Sequence, residues 1–207
     1  LQAKKKIMNT INEITATYQH IAEEGRRKLN KVQNKIYRIG TLRLLLFVAG
    51  VAGIIYFWSA GWVVLTGVIA ATLLPFILLI KYHNRLFHWK DYLEKKIEIN
   101  RQELQALTYD TSAFDNGEEF INPSHLYTYD LDIFGEHSLF QYINRTATQP
   151  GKKRLAEWMN MHLKSKAEIE KRQEAVRELA PELEMRQHFR VLGLLHKGKT
   201  ADEEEIR

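Results

Sequence analysis

Residues 44–80 contain no charged side chain, and two apolar runs, 44–58 and 62–80, fill all but three positions of that stretch. Few environments accept such a chain. An α-helix rises about 1.5 Å per residue, so the second run spans roughly the 30 Å of a bilayer's hydrocarbon core, while the first needs Thr41, Leu42 and Arg43 to reach that length. Each Leu, Ile, Val or Phe favours insertion by about 0.3–0.6 kcal/mol at mid-membrane, which outweighs the interspersed Gly, Ala, Thr and Ser. Ser59, Ala60 and Gly61 separate the runs amid Tyr56, Phe57, Trp58 and Trp62, a composition suited to a tight turn with its rings at one membrane surface. The expectation is a two-helix transmembrane hairpin. Pro75 removes one backbone donor from the second helix, and Thr72 or a neighbouring helix is expected to cover the freed carbonyl. A hairpin buried in a soluble core is the competing reading, but neither run leaves a polar face for water.

The flanks fix the orientation. Arg26, Arg27, Lys28, Lys31, Lys35, Arg38 and Arg43 precede the hairpin, and Lys81, Arg85, Lys90, Lys95 and Lys96 follow it, so both sides carry the basic excess of cytoplasmic segments. We therefore expect a two-pass protein of the inner (cytoplasmic) membrane, both termini inside and membrane lipid as a partner. The stretch begins too late and is too long and double for a cleaved signal peptide. With 207 residues and no cysteine, the chain has room for the anchor and one modest helical domain, and it lacks disulfides, zinc ribbons and a thiol nucleophile. Juxtamembrane Lys and Arg drawn to anionic lipid account for much of the net charge of +5, so nucleic acid is not required by it. The start at Leu1 and the stop at Arg207 in a charged run suggest a portion of a longer protein.

Apolar residues at Ile7, Ile11, Ile14, Tyr18, Ile21, Leu29, Val32, Ile36 and Ile39 recur in steps of three and four, with Gly25 weakening the helix midway. Leu86, Leu93, Ile97, Leu104 and Leu107 continue a similar seam after the membrane, with Trp89 and Asn100 near intervening positions. Zipped antiparallel, these arms make a coiled-coil stalk whose shorter arm is about 40 Å long, and a second chain pairing through the stalk or the later helices would give a homodimer. We divide the chain into a cytoplasmic amphipathic helix (1–41), the hairpin (42–81), a second stalk helix (82–107), a linker rich in Asp, Asn, Gly and Ser (108–123), and a helical domain (124–207). In the last, 124–134 partly alternates and reads as extended, and helices are expected over 138–146, 151–163, 166–180 and 182–195. Ser165 with Glu168 makes a capping box, and Pro150 and Pro181 open helices. Leu139, Phe140, Ile143, Leu155, Trp158, Met159, Leu163, Ile169, Val176 and Leu179 are expected to form its core.

That domain carries a specific pattern: Leu131-Asp-Ile-Phe, Ser138-Leu-Phe, Asn144-Arg-Thr-Ala-Thr148, Gly151-Lys-Lys-Arg-Leu155, Trp158-Met159, then Ile169, Arg172-Gln173 and Val176 to Leu179. Over 129–179 it resembles the core "lever" region of the MutS mismatch-repair family. Lys153 stands at that family's usual Arg position with Arg154 beside it, and His162 replaces a usual Pro, as in a divergent branch. Most of these residues read as architecture: Gly151 for close helix approach, Leu155 and Trp158 for the core, Thr146 and Thr148 as caps, Arg172 for carbonyls or a carboxylate. The resemblance implies an all-α fold, with hairpin and stalk followed by a small MutS-core-like domain. It also implies a role in an ATP-dependent DNA-binding (mismatch or damaged DNA) protein whose ATPase, with its ATP and Mg, lies beyond this chain. The chain alone is not expected to be an enzyme or to hold a cofactor. The alternative is a non-enzymatic membrane tether whose helical core binds protein.

Two motifs bear on chemistry. Gly193, Gly198, Lys199 and Thr200 satisfy the phosphate-loop pattern G-x-x-x-x-G-K-[ST], but such a loop follows a buried strand, whereas this segment reads as helix, and Leu194 and Leu195 stand where small residues belong. We take the match as coincidence. Lys152, Lys153 and Arg154 form a basic cluster that could meet DNA phosphate. His83 and His88 are off one helical face, His125 and His137 flank Asp130 and Asp132, and no metal site is expected.

Overall fold

A computed structural model describes residues 2–161 and 163–204, with side chains over 10–161 and 163–196. The Ile7 side chain and His162 lie outside the described residues. The fold is all-α: α1 (Gln2–Tyr56), α2 (Trp62–Ala106), α3 (Leu139–Ile143), α4 (Gln149–Asn160), α5 (Lys166–Leu179) and α6 (Leu183–Glu204), with one 3-10 turn at Glu118–Phe120. Two compact units form, one of Glu24–Glu94 and one of Leu1–Glu23 with Lys95–Arg207.

In the Glu24–Glu94 unit α1 and α2 pack antiparallel. Gly53 faces Val68, Gly50 faces Thr72, and the Arg43 guanidinium lies 5.5 Å from the centre of the Phe76 ring. A Cβ on Gly50 or Gly53 would sit 3.1 Å from those side chains, so the glycines set how closely the helices approach. The chain reverses where Phe57 N–H donates to Gly53 O and Ala60 N–H to Phe57 O, and Gly61 takes φ +94°, a left-handed conformation suited to Gly. Nearer the basic flank Val32, Leu86 and Leu93 are buried, with Leu29, Ile36, Ile39 and Tyr92 packed on them. Part of the expected seam therefore meets. Gly25 does not interrupt α1, since its helix penalty of about 1 kcal/mol is small beside the packing. Thr72 does not cover the carbonyl freed by Pro75, because its hydroxyl donates to Val68 O and Ile69 O at 3.0 Å, one turn earlier.

Both helices are long and apolar enough to cross a membrane, and of their most apolar windows only 6% and 0% is buried within the fold. Leu44, Leu45, Phe47, Ile55, Trp58, Trp62, Leu74 and Leu78 are exposed. A soluble core helix would hide such residues.

The other unit is built on three phenylalanines. Phe134, Phe140 and Phe120 lie with ring centres 5.2–5.8 Å apart, beside buried Ala156 and flanked by Ile133, Leu155 and Met159. Residues 108–123, expected as a linker, pack into this unit: Gln141 Nε2 donates to Phe114 O, and Asn144 Nδ2 donates to Asp115 O. The physical reason is local. Asp110, Asp115, Asn116 and Asn122 each accept a hydrogen bond from the backbone N–H two residues on, so the polar residues fix turns rather than loosen the chain. Residues 124–134 are likewise a series of turns rather than an extended segment, closed by Leu131 N–H to Tyr127 O and Ile133 N–H to Thr128 O.

Thr148 caps α4 by accepting from Gly151 N–H, and a Cβ on Gly151 would lie 3.1 Å from that Thr148 hydroxyl, so this glycine guards the cap. Thr146 instead bonds the Asn144 side chain, and Ser165 makes no side-chain cap bond, so the expected capping box does not form. Of the expected core, Phe140 is fully buried, whereas Leu139, Ile143, Trp158, Ile169, Val176 and Leu179 are exposed. Arg172 stacks on Trp158 at 4.1 Å, which keeps the indole at the surface under a cation.

Candidate interaction site around Glu103

Near its C-terminal end α2 turns a polar row toward α6. Asn100 and Gln187, 0% and 5% exposed, exchange hydrogen bonds of 3.3 and 2.7 Å, and Asn100 Nδ2 also donates to Lys96 O. One turn on, Glu103 Oε1 accepts from Arg190 Nη1 at 2.8 Å and from Arg145 Nε at 2.7 Å, while Arg190 Nη2 donates to Gln102. Pairs 100–187 and 103–190 advance together, so these segments of α2 and α6 run parallel. Both guanidiniums lie over the buried Phe114 ring, at 3.6 Å for Arg145 and 5.4 Å for Arg190. Arg145 Nη1 also donates to Tyr142 O and Asn144 O, which anchors the connection between α3 and α4.

One carboxylate thus serves two cations, and Glu98 adds a weaker favourable field at Arg190. Burial pulls the Arg190 guanidinium below its ordinary value, opposed by Glu103. Burial, and next the Glu103 charge, push the Tyr18 phenol of α1 upward. Beside this cluster opens a concavity of about 870 Å³, lined mainly by apolar side chains that include Ile143, Leu179, Met185, Phe189 and Leu192. Phe189 is 75% exposed, which for a Phe on a folded helix leaves a large apolar area in water. An apolar groove with a charged wall can hold a partner helix or chain segment.

Lys152 is 8% exposed, and its ammonium pairs with Asp115 at 2.6 Å and with Glu119, which holds it to the fold. Burial works to lower its pKa, and the bonds to Asp115 and Glu119 overcome this and raise it. Lys153 and Arg154 are exposed, Arg154 pairing with Glu157 at 2.9 Å. Gly193 lies within α6, whose helical backbone continues through Gly198, Lys199 and Thr200; the side chains of Lys199 and Thr200 lie outside the described residues. A Cβ on Gly193 would meet Ala147 Cβ at 2.7 Å, so this glycine permits α6 to lie against the α3–α4 connection. Among the described residues no group of three or more His, Asp or Glu side chains could hold a metal ion.

Sequence reasoning missed Glu103, Arg145, Gln187 and Arg190. Asn100, a polar residue among seam positions, and Arg145, inside the Asn144–Thr148 pattern, were the signals pointing there. No curated protein and no solved structure matches the chain. Residues 124–204, the stretch that supplies α3 to α6 and with them Arg145, Gln187 and Arg190, match the family model of MutS domain III.

Proposed function

We propose that this chain is the membrane-anchoring part of a MutS-related protein, with the α1–α2 hairpin as a two-pass anchor and the α3–α6 module as its MutS-like lever. The observation that carries the reading is the exposure of two apolar helical faces in a chain whose residues 124–204 are similar to MutS domain III. Exposed Leu, Ile, Val and Phe over both windows are stable in acyl chains and costly in water. On this reading both termini are cytoplasmic, and the helices between membrane and lever pair as a coiled-coil stalk. An ATPase module with its ATP and Mg, as the resemblance implies, follows beyond residue 207. The domain limits 1–41, 42–81, 82–107 and 124–207 belong to the same proposal, with 108–123 packed onto the last of these rather than linking to it. Gly193, Gly198, Lys199 and Thr200 take no part in nucleotide binding, since a phosphate cradle needs a loop and this segment is helical.

A protein-binding tether is the second reading, favoured by one observation: Lys152 is committed to Asp115 and Glu119, which leaves Lys153 and Arg154 as the exposed part of the basic cluster expected to meet DNA. The absence of cysteine makes a clean test of the anchor. A single Ser59→Cys, in vesicles holding the full chain, is expected to react with an impermeant maleimide only from the face opposite the two termini. Labelling from the same face as the terminal tags, or a chain that stays dissolved without detergent, overturns the anchor. DNA retention by the full chain at low salt, lost on K153Q/R154Q, separates the lever reading from the tether.

A further inference from the structure

We propose that the helical pair of Glu24–Glu94, at the end away from its Trp58 and Trp62 turn, binds the phosphate headgroups of anionic phospholipids. The inference rests on the membrane reading above and adds the class of lipid. Between Glu24 and Asp91 the sequence has ten Lys and Arg and no Asp or Glu. The three carboxylates of the unit lie at its ends, and two are already engaged, Glu24 with Lys28 at 2.7 Å and Glu94 with Lys90 at 3.3 Å. Among the described residues no ion pair engages Arg38, Arg43, Lys81 or Arg85.

These cations stand where each apolar run begins or ends, with Arg43 and Lys81 immediately beside residues 44–80. The Arg43 guanidinium lies over Phe76, and its Nε is buried without a hydrogen-bond partner; His83 Nδ1, two residues past Lys81, is in the same condition. A guanidinium at a hydrocarbon edge is stable only with a counter-charge or water, and a lipid phosphate supplies charge and acceptor oxygens at that depth. The other end of the pair, Tyr56 to Trp62, has no charged residue, so the positive potential faces one leaflet. Zwitterionic headgroups carry a phosphate too, but their choline is repelled by the same cluster. Anionic lipid is therefore the preferred occupant.

The test uses the full chain purified in a nonionic detergent with equimolar phosphatidylglycerol and phosphatidylcholine, the retained lipids being counted by native mass spectrometry. Retention of phosphatidylglycerol is expected to exceed that of phosphatidylcholine by on the order of tenfold. R38Q/R43Q/K81Q/R85Q is expected to fall to parity, while the charge-keeping R38K/R43K/K81R/R85K keeps most of the preference. Should the four-fold neutral variant fail to insert, K81Q/R85Q, at exposed positions, is expected to lose part of the preference, and an unchanged ratio there counts against the proposal. Parity in the unaltered chain, a preference that survives neutralisation, or displacement of the lipid by millimolar inorganic phosphate overturns it. Parity with Ser59→Cys still reactive only from the far face sinks the lipid preference alone, whereas Ser59→Cys reactive from the terminal face sinks the anchor.

Discussion

Replacing Asn100 by Leu tests whether α2 and α6 are held by the polar row described here. The substitution removes both hydrogen bonds to Gln187, at 3.3 and 2.7 Å, and leaves the Gln187 amide 5% exposed with neither donor nor acceptor matched. An orphaned buried polar group costs about 1–3 kcal/mol, so the single change is expected to cost about 3 kcal/mol over the two groups. Gln187→Leu orphans Asn100 in the same way, although Asn100 keeps its bond to Lys96 O and the cost is about 2 kcal/mol. The double variant N100L/Q187L buries no unmatched amide and is expected within about 1 kcal/mol of the unaltered chain, which makes the coupling strongly non-additive. Val191 is fully buried on α6, so Val191→Cys in this cysteine-free chain gives a thiol that reacts only when α6 opens. At 1.4 kcal/mol per tenfold, thiol labelling should accelerate on the order of a hundredfold in N100L and less than about tenfold in the double variant. Equal rates in N100L and the unaltered background, or a double variant as fast as the singles combined, would falsify the pairing of α2 with α6.

Three further outcomes follow from the same geometry. Lys152→Met removes the ammonium shared by Asp115 and Glu119, which are about half exposed, so a thermal-unfolding loss of about 1–2 kcal/mol is expected rather than the larger cost of a fully buried pair. Because the folded-state pKa of Lys152 is raised, the pair's contribution is complete below the ordinary lysine value of about 10.4 and fades as pH rises through the folded value. The melting-temperature gap between the unaltered chain and K152M should therefore hold from neutral pH to about 9 and close in stronger alkali; a gap that widens there is the wrong sign. Thr148→Ala should cost about 1 kcal/mol through loss of the α4 cap, whereas Ser165→Ala, with no cap bond to lose, should fall within about 0.5 kcal/mol of zero; the reverse order in a melting experiment contradicts the capping geometry. Gly193→Ala should destabilise by about 1–3 kcal/mol despite alanine's better helix propensity, because its Cβ would meet Ala147 Cβ at 2.7 Å, and a gain in melting temperature would show that α6 does not lie there.

The uncharged stretch 44–80 determined, from sequence alone, that two long apolar helices would form with a turn near Ser59, since no local preference competes with such a run and water cannot solvate it. The pattern around Gly151, Trp158 and Arg172 likewise carried the similarity to MutS, because spaced identities survive in sequence whatever the surrounding contacts. Tertiary structure decided the rest. Residues 108–123 read as linker from composition, yet their Asp and Asn side chains close turns that bring Phe114 under Arg145 and Asp115 onto Lys152. Trp158 and Val176 have core spacing, but a periodic face says only that a helix could bury one side, not that a partner lies there, and both stay exposed. Glu103, Arg145 and Arg190 are 42 or more residues apart in pairing and share no motif, so only long-range packing of α2, α6 and the α3–α4 connection could reveal their cluster. Hydropathy and helical period are local sums over neighbours in the chain, whereas a buried ion pair depends on which distant segments exclude water together.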